Sequence, residues 1–600
     1  MHQRTFSRLG PRRARAFFYL LAAVSLFLIW RLYDVQVLRG PVLAKEALAQ
    51  RSDTIEIFGR RGSIMDRDGN LLVRSLPSES IYANPSQISD PTKTTSTLAS
   101  VLGKMDPGAR AALSQRSMQF VWIARKVPPE VADGVRAKNL EGIDFKEEET
   151  GRRYDMVGHL ASSVLGFVGI DENGLDGVEY SFDSLLKGTS GRTLLETDGL
   201  DHAIPFGEQS VLKPARPGSS LQLTIDSYLQ YQTERALKAQ VTAFSAQSGS
   251  AIVMDPNTGE ILAMANVPDY EPNDFAKYSA DARRNRAVMD AYEPGSTFKL
   301  VTAAAALDSG SVSLQSRFAA RDSLSVGGRI IHNAEDGFMP GTGGSETLEQ
   351  IVEFSHNVGA AEVGMAIGQK RLYHMIAAAQ FGQRTRVGLP GENPGIVPPL
   401  ADWSDSSLPT ISFGQGISVT PLSLVRFYAA IANGGLLLRP QIISAICDAD
   451  GRIVYRYPRQ IEHRIFSRRT AATLRRFLRS VVLHGTGNPT AQVPGYTTAG
   501  KTGTAQVVEN GVYASGEYVA SFVGMVPAEH PRYVILVKVT RPRAAIYGGV
   551  VAAPAFARIA QVAMLHAGAL PATTPTPSPT PAPPENLSPS RLVRPHAKTK

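Results

Sequence analysis

The chain is almost without cysteine. Cys447 is its one thiol, which excludes an internal disulfide and any metal site built from several cysteines. A buried, inert thiol is the expected state of that residue. The sequence also lacks G-x-S-x-G and H-E-x-x-H, so neither the nucleophile elbow of the α/β-hydrolases nor a zinc-protease helix is present. His484-Gly-Thr-Gly-Asn488 is rich in glycine but is not followed by Gly-Lys-Ser/Thr, and reads as a surface turn rather than a phosphate loop. No repeat recurs at solenoid or propeller periods. An excess of one charge is missing where it would matter. The formal net charge is +9, yet five arginines in residues 1–15 and a net +3 from residues 571–600 account for nearly all of it. A near-neutral body argues against a phosphate-tracking surface, so no nucleic-acid partner is expected.

What is present is an ordinary globular composition over 600 residues, 43% hydrophobic and 20% charged, with room for two or three domains. Ala16 to Trp30 is an uncharged apolar run. As a helix it spans only about 22 Å, and extension to Gln36 brings it to about 31 Å, the thickness of a hydrocarbon core. Arg31 and Asp34 then fall in the last turns, where they can snorkel, and Trp30 and Tyr33 suit the interface. No small-x-small cleavage site closely follows the run, and the arginines before it hold the N-terminus inside. A single-pass anchor is therefore expected, with everything after about residue 37 exported.

Residues 37–60 read as a helix leaving the membrane, and residues 61–215 as a mixed, charged region. Further on, LQLTIDSYLQ changes from period-2 alternation to a helix. Ile252–Met254 and Ile261–Met264 flank a tight turn, and Ala520–Val526 and Tyr533–Val539 read as a second strand pair. Between these pairs the patterns are helical, notably LVTAAAALDSG and LVRFYAAIANGG, both ending in glycine. First and last hairpins around a helical middle predict one sheet completed by both ends of an α+β domain. A last amphipathic stretch, APAFARIAQVAMLHAG, should pack on it. Seven prolines in residues 571–584 predict an extended tail without a packed core.

The sharpest chemical signal is Glu293-Pro-Gly-Ser-Thr-Phe-Lys299, running into an alanine-rich helix. Ser296 at the helix start and Lys299 three residues on share a face, so a hydroxyl meets an amine that can serve as its base. That amine must be neutral at the moment of attack, which burial and a second cation favour. The helix N-terminus directs backbone N–H groups at an oxyanion formed beside Ser296. S-x-x-K alone is weak. It is joined, in chain order, by Ser355-His-Asn357 between two helical patterns and by Lys501-Thr-Gly-Thr504 just before a β pattern. S-x-x-K with S-x-N and K-T-G is the set found in penicillin-binding proteins and class A β-lactamases.

From about Arg61 to Ile559 the chain resembles the class B penicillin-binding proteins, and within them the division-specific FtsI type. Arg61-Gly-Ser-Ile-Met-Asp-Arg-Asp-Gly69 looks like the family's R-G-x-I-x-D-R-x-G pedestal motif, and HLASSVLGFVG with GLDGVEY like its second pedestal motif. Tyr292–Ser296, Ser355–Gly359 and Phe413-Gly-Gln-Gly-Ile-Ser-Val-Thr-Pro421 are closer to the division type. In the elongation type the second motif usually ends in aspartate rather than Asn357. The resemblance implies a cytoplasmic tail at 1–15, a transmembrane anchor at 16–36, a pedestal at 37–215, a transpeptidase domain at 216–566 and the proline-rich tail at 567–600. That last domain should have the penicillin-binding, serine β-lactamase-like fold, an antiparallel sheet with a helical subdomain. Ser296 would attack the carbonyl between the two terminal D-alanines of a peptidoglycan stem, and Lys299 would take its proton. Ser355 would relay that proton to the leaving amine, and Asn357 would hold the donor amide. Lys501 would supply positive field, and Thr502, Gly503 and Thr504 would bind the substrate's carboxylate end. The backbone N–H groups of Ser296 and Thr504 would form the oxyanion hole. No metal or organic cofactor is needed. β-Lactams would acylate Ser296. A SEDS-family glycosyltransferase and other division proteins are the implied partners at the cytoplasmic membrane.

Two alternatives keep the same serine. An elongation-type transpeptidase differs only in its site of action. A D,D-carboxypeptidase or β-lactamase would hand the acyl group to water, which in class A enzymes uses an added glutamate. Glu362, Glu392 and Glu462 each lack an asparagine four residues on, and Glu353 to Asn357 overlaps the second motif. A β-lactam sensor would need cytoplasmic signalling machinery that fifteen N-terminal residues cannot supply. His356, at the variable position of S-x-N, is expected to wall the cleft without a catalytic role.

Overall fold

The computed structural model describes residues 11–196, 209–334, 344–509 and 511–571. The proline-rich segment from residue 572 onward and the first ten residues lie outside the described residues. The chain gathers into two units, one from Met1–Arg60 and Gly188–Gly218, the other from Arg61–Lys187 and Ser219–Lys600.

In the first unit, a helix over Pro11–Tyr33 continues as a π-helical turn at Asp34–Leu38. Together they form one apolar segment of 28 residues, long and apolar enough to cross a membrane. Asp34 near its end is neutralised by Arg31 at 2.6 Å and Arg39 at 3.4 Å. The helix expected over 37–60 is shorter than that: it occupies Gly40–Arg51, and Ser52–Ile57 is a strand. The reason is a partner remote in sequence. SDTIEI alternates and carries β-branched residues, and it pairs antiparallel with Gly191–Glu196, which in turn pairs with Gln209–Lys213.

Among the described residues, the second unit holds three sheets of three or more strands and three two-stranded ones. Glu79–Ala83 lies between Val121–Val127 and Ile143–Glu147, with its own small apolar core around Ile81, Leu98 and Val135. A six-stranded sheet joins strands far apart in sequence. Ile64–Met65 pairs in parallel with Ser220–Leu223, which pairs antiparallel with Ile443–Cys447. Cys447 is thus a buried free thiol on a strand.

The third large sheet carries the Lys501-Thr-Gly-Thr504 segment. Its strands are β1 (Ser248–Met254), β2 (Ile261–Val267), β3 (Ala499–Glu509), β4 (Val512–Val526) and β5 (Tyr533–Thr540), in the spatial order β2-β1-β5-β4-β3. The first and last strand pairs therefore do complete one antiparallel sheet. Strands β1, β2 and β5 are largely apolar because both faces are covered. Ile252, Met254, Val534 and Leu536 enter one apolar core, while Ala251, Val253, Ile535 and Val537 enter another. Helices α1 (Ser227–Ala243) and α6 (Ala553–His566) pack on the second face. The first face meets the helical middle, with α2 (Lys299–Asp308), α3 (Leu348–Glu353), α4 (Asn357–Ile367) and the wholly buried α5 (Pro421–Ala432).

Candidate active site

Pro294 and Gly295 start a helix as the sequence suggests, but its first turn is not α-helical. Gly295–Phe298 is a 3-10 turn that runs directly into α2. Three residues per turn eclipse i and i+3, which sets Lys299 directly over Ser296 more strictly than an α-helix would. Ser296 is partly exposed, and Thr297, Phe298 and Lys299 around it are buried.

That turn has a template. Gly295 donates its N–H to the carbonyl of Gly414 at 3.0 Å, and Tyr292 and Val419 exchange backbone hydrogen bonds of 3.0 and 2.9 Å. The Glu293 carboxylate accepts the Gly416 N–H at 2.8 Å. From α5, Tyr428 donates its hydroxyl to the Thr297 carbonyl at 2.8 Å. The motif Phe413–Pro421, recognisable in the sequence without a role attached, is thus the second wall of the Ser296 turn. Gly414 is required there: its φ is +84°, and a Cβ would stand 2.3 Å from the Gly295 oxygen.

Lys299 is 1% exposed and is surrounded by acceptors from the second motif. Its Nζ donates to the Ser355 carbonyl, to Ser355 Oγ at 3.2 Å and to Asn357 Oδ1 at 2.8 Å. Burial pushes its pKa well below that of free lysine, the charge of Lys501 lowers it further, and Glu346 acts in the opposite sense. Ser355 sits between α3 and α4 with φ at +64°, a left-handed conformation rarely held by a non-glycine residue outside constrained sites. Asn357 opens α4. Its N–H and that of Val358 are capped by Asn333 Oδ1 at 2.8 and 3.1 Å, and its side-chain Nδ2 donates to the His332 carbonyl at 3.0 Å. The Asn357 amide is therefore oriented with its oxygen toward Lys299. His356 pairs with buried Glu346.

Lys501-Thr-Gly-Thr504 lies inside β3 rather than ahead of it, because Lys501–Thr504 pair in register with Ala520–Val523 of β4. Lys501 is completely buried, and desolvation lowers its pKa to about 7. Its Nζ donates to the carbonyl and hydroxyl of Thr502, each at 3.3 Å. Strand and turn are in close contact. A Cβ on Gly503 would stand 2.9 Å from Thr297 Cγ2 and 3.2 Å from the Pro294 oxygen, and one on Gly295 would stand 3.1 Å from the Thr504 oxygen. The three separated motifs thus converge on one place.

Sequence reasoning missed several supporting groups. The piece His484–Asn488 is not a free surface turn: Thr486 Oγ1 lies 2.6 Å from Thr502 Oγ1. Gly548 donates its N–H to Thr504 Oγ1 at 3.2 Å. No local pattern around Thr486, Asn333, Glu346 or Gly548 marks them, since their roles arise only from contacts across the fold. The pedestal motifs resolve into a buried ion cluster. Arg61 reaches Glu179 and Asp183, both at 2.6 Å, and Arg153 binds the other Glu179 oxygen at 2.6 Å. Asp66 accepts from Asp68 N, Asn70 N and Ser227 Oγ, which ties that motif to α1. The glutamates weighed for a hydrolytic role are engaged elsewhere. Glu392 accepts from Thr385 and Arg386, Glu362 from the Ala319 N–H, Glu462 pairs with Arg386, and Glu353 holds Ser480.

Comparison with known proteins agrees with this geometry. Residues 249–561 match the penicillin binding protein transpeptidase domain, and residues 56–223 match the penicillin-binding protein dimerisation domain. Stage V sporulation protein D of Bacillus subtilis is 34% identical over 571 residues, covering 93% of this chain and 86% of that protein. Peptidoglycan D,D-transpeptidase FtsI of Escherichia coli is 33% identical over 541 residues, covering 89% and 88%. The crystal structure of penicillin-binding protein 3 from Mycobacterium tuberculosis complexed with aztreonam superposes with a TM-score of 0.67 at 31% identity, covering 87% of this chain and 99% of that one. With the Ser296–Lys299 turn, the Ser-x-Asn corner and the KTGT strand brought together in that fold, the chain belongs to the class B penicillin-binding proteins and is a serine-type peptidoglycan D,D-transpeptidase.

Proposed function

We propose that this protein cross-links stem peptides at the division septum, with Ser296 as nucleophile and Lys299 as its base. The observation that carries the assignment is the buried Lys299 amine, depressed in pKa and held by Ser355 and Asn357 one 3-10 turn from Ser296. A neutral amine so placed takes the Ser296 proton as Oγ attacks the carbonyl between the terminal D-alanines. The backbone N–H groups of Ser296 and Thr504 receive the negative charge that develops on that carbonyl oxygen. The proton then passes through Ser355 to the departing D-alanine amine, and an acceptor amine from a neighbouring strand resolves the acyl enzyme. Asn357 holds the donor amide, Thr502, Gly503 and Thr504 seat the terminal carboxylate, and Lys501 supplies positive field. β-Lactams enter the same path and stop at the acyl enzyme.

In this reading residues 1–15 are cytoplasmic, 16–36 span the membrane, 37–215 form the pedestal and 216–566 the transpeptidase domain, outside the membrane. A SEDS-family glycosyltransferase and other division proteins are its partners. The division role is supported by Asn357 and by Phe413–Pro421. The test has two arms. Labelled penicillin is expected to attach to the wild-type protein and remain beyond minutes, and Ser296→Ala to take no label; label lost within seconds would mean a hydrolase. Depletion in cells is expected to give filaments, whereas round cells would assign the protein to elongation.

A further inference from the structure

One buried carboxylate beside the Ser-x-Asn corner has no part in the reaction as proposed. Glu346 is 1% exposed and lies on the short strand Ser345–Thr347, which pairs antiparallel with Arg317–Ala319. Its Oε2 is 2.5 Å from Nδ1 of His356. Its Oε1 lies against the first turn of α4, where a Cβ on Gly359 would stand 2.3 Å from it. A glycine at 359 leaves the space that the carboxylate fills.

A buried carboxylate is costly unless something compensates its charge. Among the described residues, His356 is the one ion-pair partner of Glu346 within 4 Å. The other carboxylates of α3 and α4 are engaged elsewhere. Glu349 pairs with Arg476 at 3.2 Å, Glu353 holds Ser480, and Glu362 accepts the Ala319 N–H and lies 3.9 Å from Arg321. Two charges act on Lys299: Lys501 repels its ammonium and Glu346 attracts it.

His356 stands between the two residues that hold Lys299. Ser355 gives Lys299 its carbonyl and hydroxyl as acceptors, and Asn357 gives its Oδ1. The His356 N–H donates to the Ile351 carbonyl at 3.1 Å, and its carbonyl accepts the Ala360 N–H at 3.3 Å, so Glu346 fixes the ring of a residue whose backbone is already tied down. Ser355 beside it keeps φ at +64°, a conformation that needs support from its surroundings. The base has two opposed requirements. It must be neutral before Ser296 attacks, which burial and Lys501 favour, and it must hold a proton during the attack, which they oppose. We propose that Glu346 and His356 are a positioning pair for the base: Glu346 holds the His356 ring and with it the Ser355–Asn357 corner around Lys299, and its carboxylate is the countercharge for the ammonium that forms when Ser296 Oγ gives its proton to Lys299 Nζ. The inference rests on the proposed role of Lys299.

The test follows acylation by penicillin against pH, by stopped flow, on the full-length protein in detergent. Glu346→Gln keeps the shape of the side chain and can still hydrogen-bond His356, but removes the charge. Its acid limb should move to lower pH, because the group that favoured the ammonium is gone. Its plateau rate should fall by about tenfold, part of the 10²–10⁴-fold that a general base contributes. Glu346→Asp keeps the charge and shortens the reach to His356, so its limb should stay near the wild-type position while its plateau falls. A limb left in place by Glu346→Gln, whatever its plateau, would make the pair a structural contact and overturn the inference. A limb displaced to lower pH in Glu346→Asp would overturn it as well, and that variant reads the charge without relying on the glutamine protein folding. Wild-type acylation with no acid limb would instead overturn the role of Lys299 itself, and the pair with it.

Discussion

Lys299 donates to Asn357 Oδ1 at 2.8 Å from 58 residues earlier in the chain, and the same ammonium reaches Ser355 Oγ at 3.2 Å. These contacts hold the amine in place, and its burial lowers its pKa well below that of free lysine. Lys299→Met preserves much of the side chain's volume and removes the proposed base. Acylation of Ser296 by penicillin should fall by about 10²–10⁴-fold, the usual contribution of a general base, with Tm near that of the wild type. A loss below tenfold in stopped-flow acylation would remove Lys299 from that role.

The pH profile follows from the same pair. Lys299 must be neutral to act, so acylation rises with pH as its ammonium deprotonates, on a limb placed well below the range of free lysine. Lys501 lowers the Lys299 pKa by repulsion. Lys501→Met should therefore move the acid limb of the residual acylation rate to higher pH. An unmoved limb would show that the two ammonium groups are not coupled.

Lys501 also makes stability depend on pH. Its pKa is about 7 in the folded protein, against about 10.4 for an unperturbed lysine. Between these values the unfolded chain binds a proton that the folded chain has released. Stability therefore falls as pH drops from about 10 to 7, and the full cost is present below 7. Lys501→Met should be more stable than the wild type at pH 7, by on the order of a few kcal/mol, with the advantage shrinking toward pH 10. Thermal melts across that range check it, and a variant less stable at pH 7 would contradict it.

Glu179 is 1% exposed and holds both Arg61 and Arg153 at 2.6 Å. Glu179→Ala leaves two buried guanidinium groups without that carboxylate. The expected cost is about 3–5 kcal/mol, read as a large drop in the unfolding temperature. A change within the scatter of surface substitutions would show that solvent replaces the carboxylate.

Gly414→Ala tests the template of the Ser296 turn. The added Cβ collides with the Gly295 oxygen and would stand 2.7 Å from Phe298 Cβ. The turn must move, and a shift near 1 Å at the reacting atom costs about 10²-fold in rate. Acylation should fall by that order while the far-UV circular dichroism spectrum is retained. Near-wild-type acylation would show that Ser296 is positioned without this contact.

Elements whose own periodicity matches their environment were legible in the sequence. The runs Ile252–Met254 and Tyr533–Val539 read as strands because they are short and dominated by apolar, mostly β-branched residues, and α5 as a helix because glycines follow it. Ser52–Ile57 was misread because the partner that makes it a strand, Gly191–Glu196, lies more than a hundred residues away. Thr486 was misread because a loop beside Thr502 has the same composition as a loop in solvent.

The order and spacing of Ser296, Lys299, Ser355, Asn357, Lys501 and Thr504 were fixed by the sequence alone, and with them the identity of every group proposed for the reaction. What the tertiary structure alone decided is their electrostatic state: Lys299 and Lys501 share one buried site, and Arg61 meets Glu179 across more than a hundred residues. Covalent order specifies which groups a chain carries. Desolvation and charge depend on which surfaces are removed from water together, and that is a property of the folded chain.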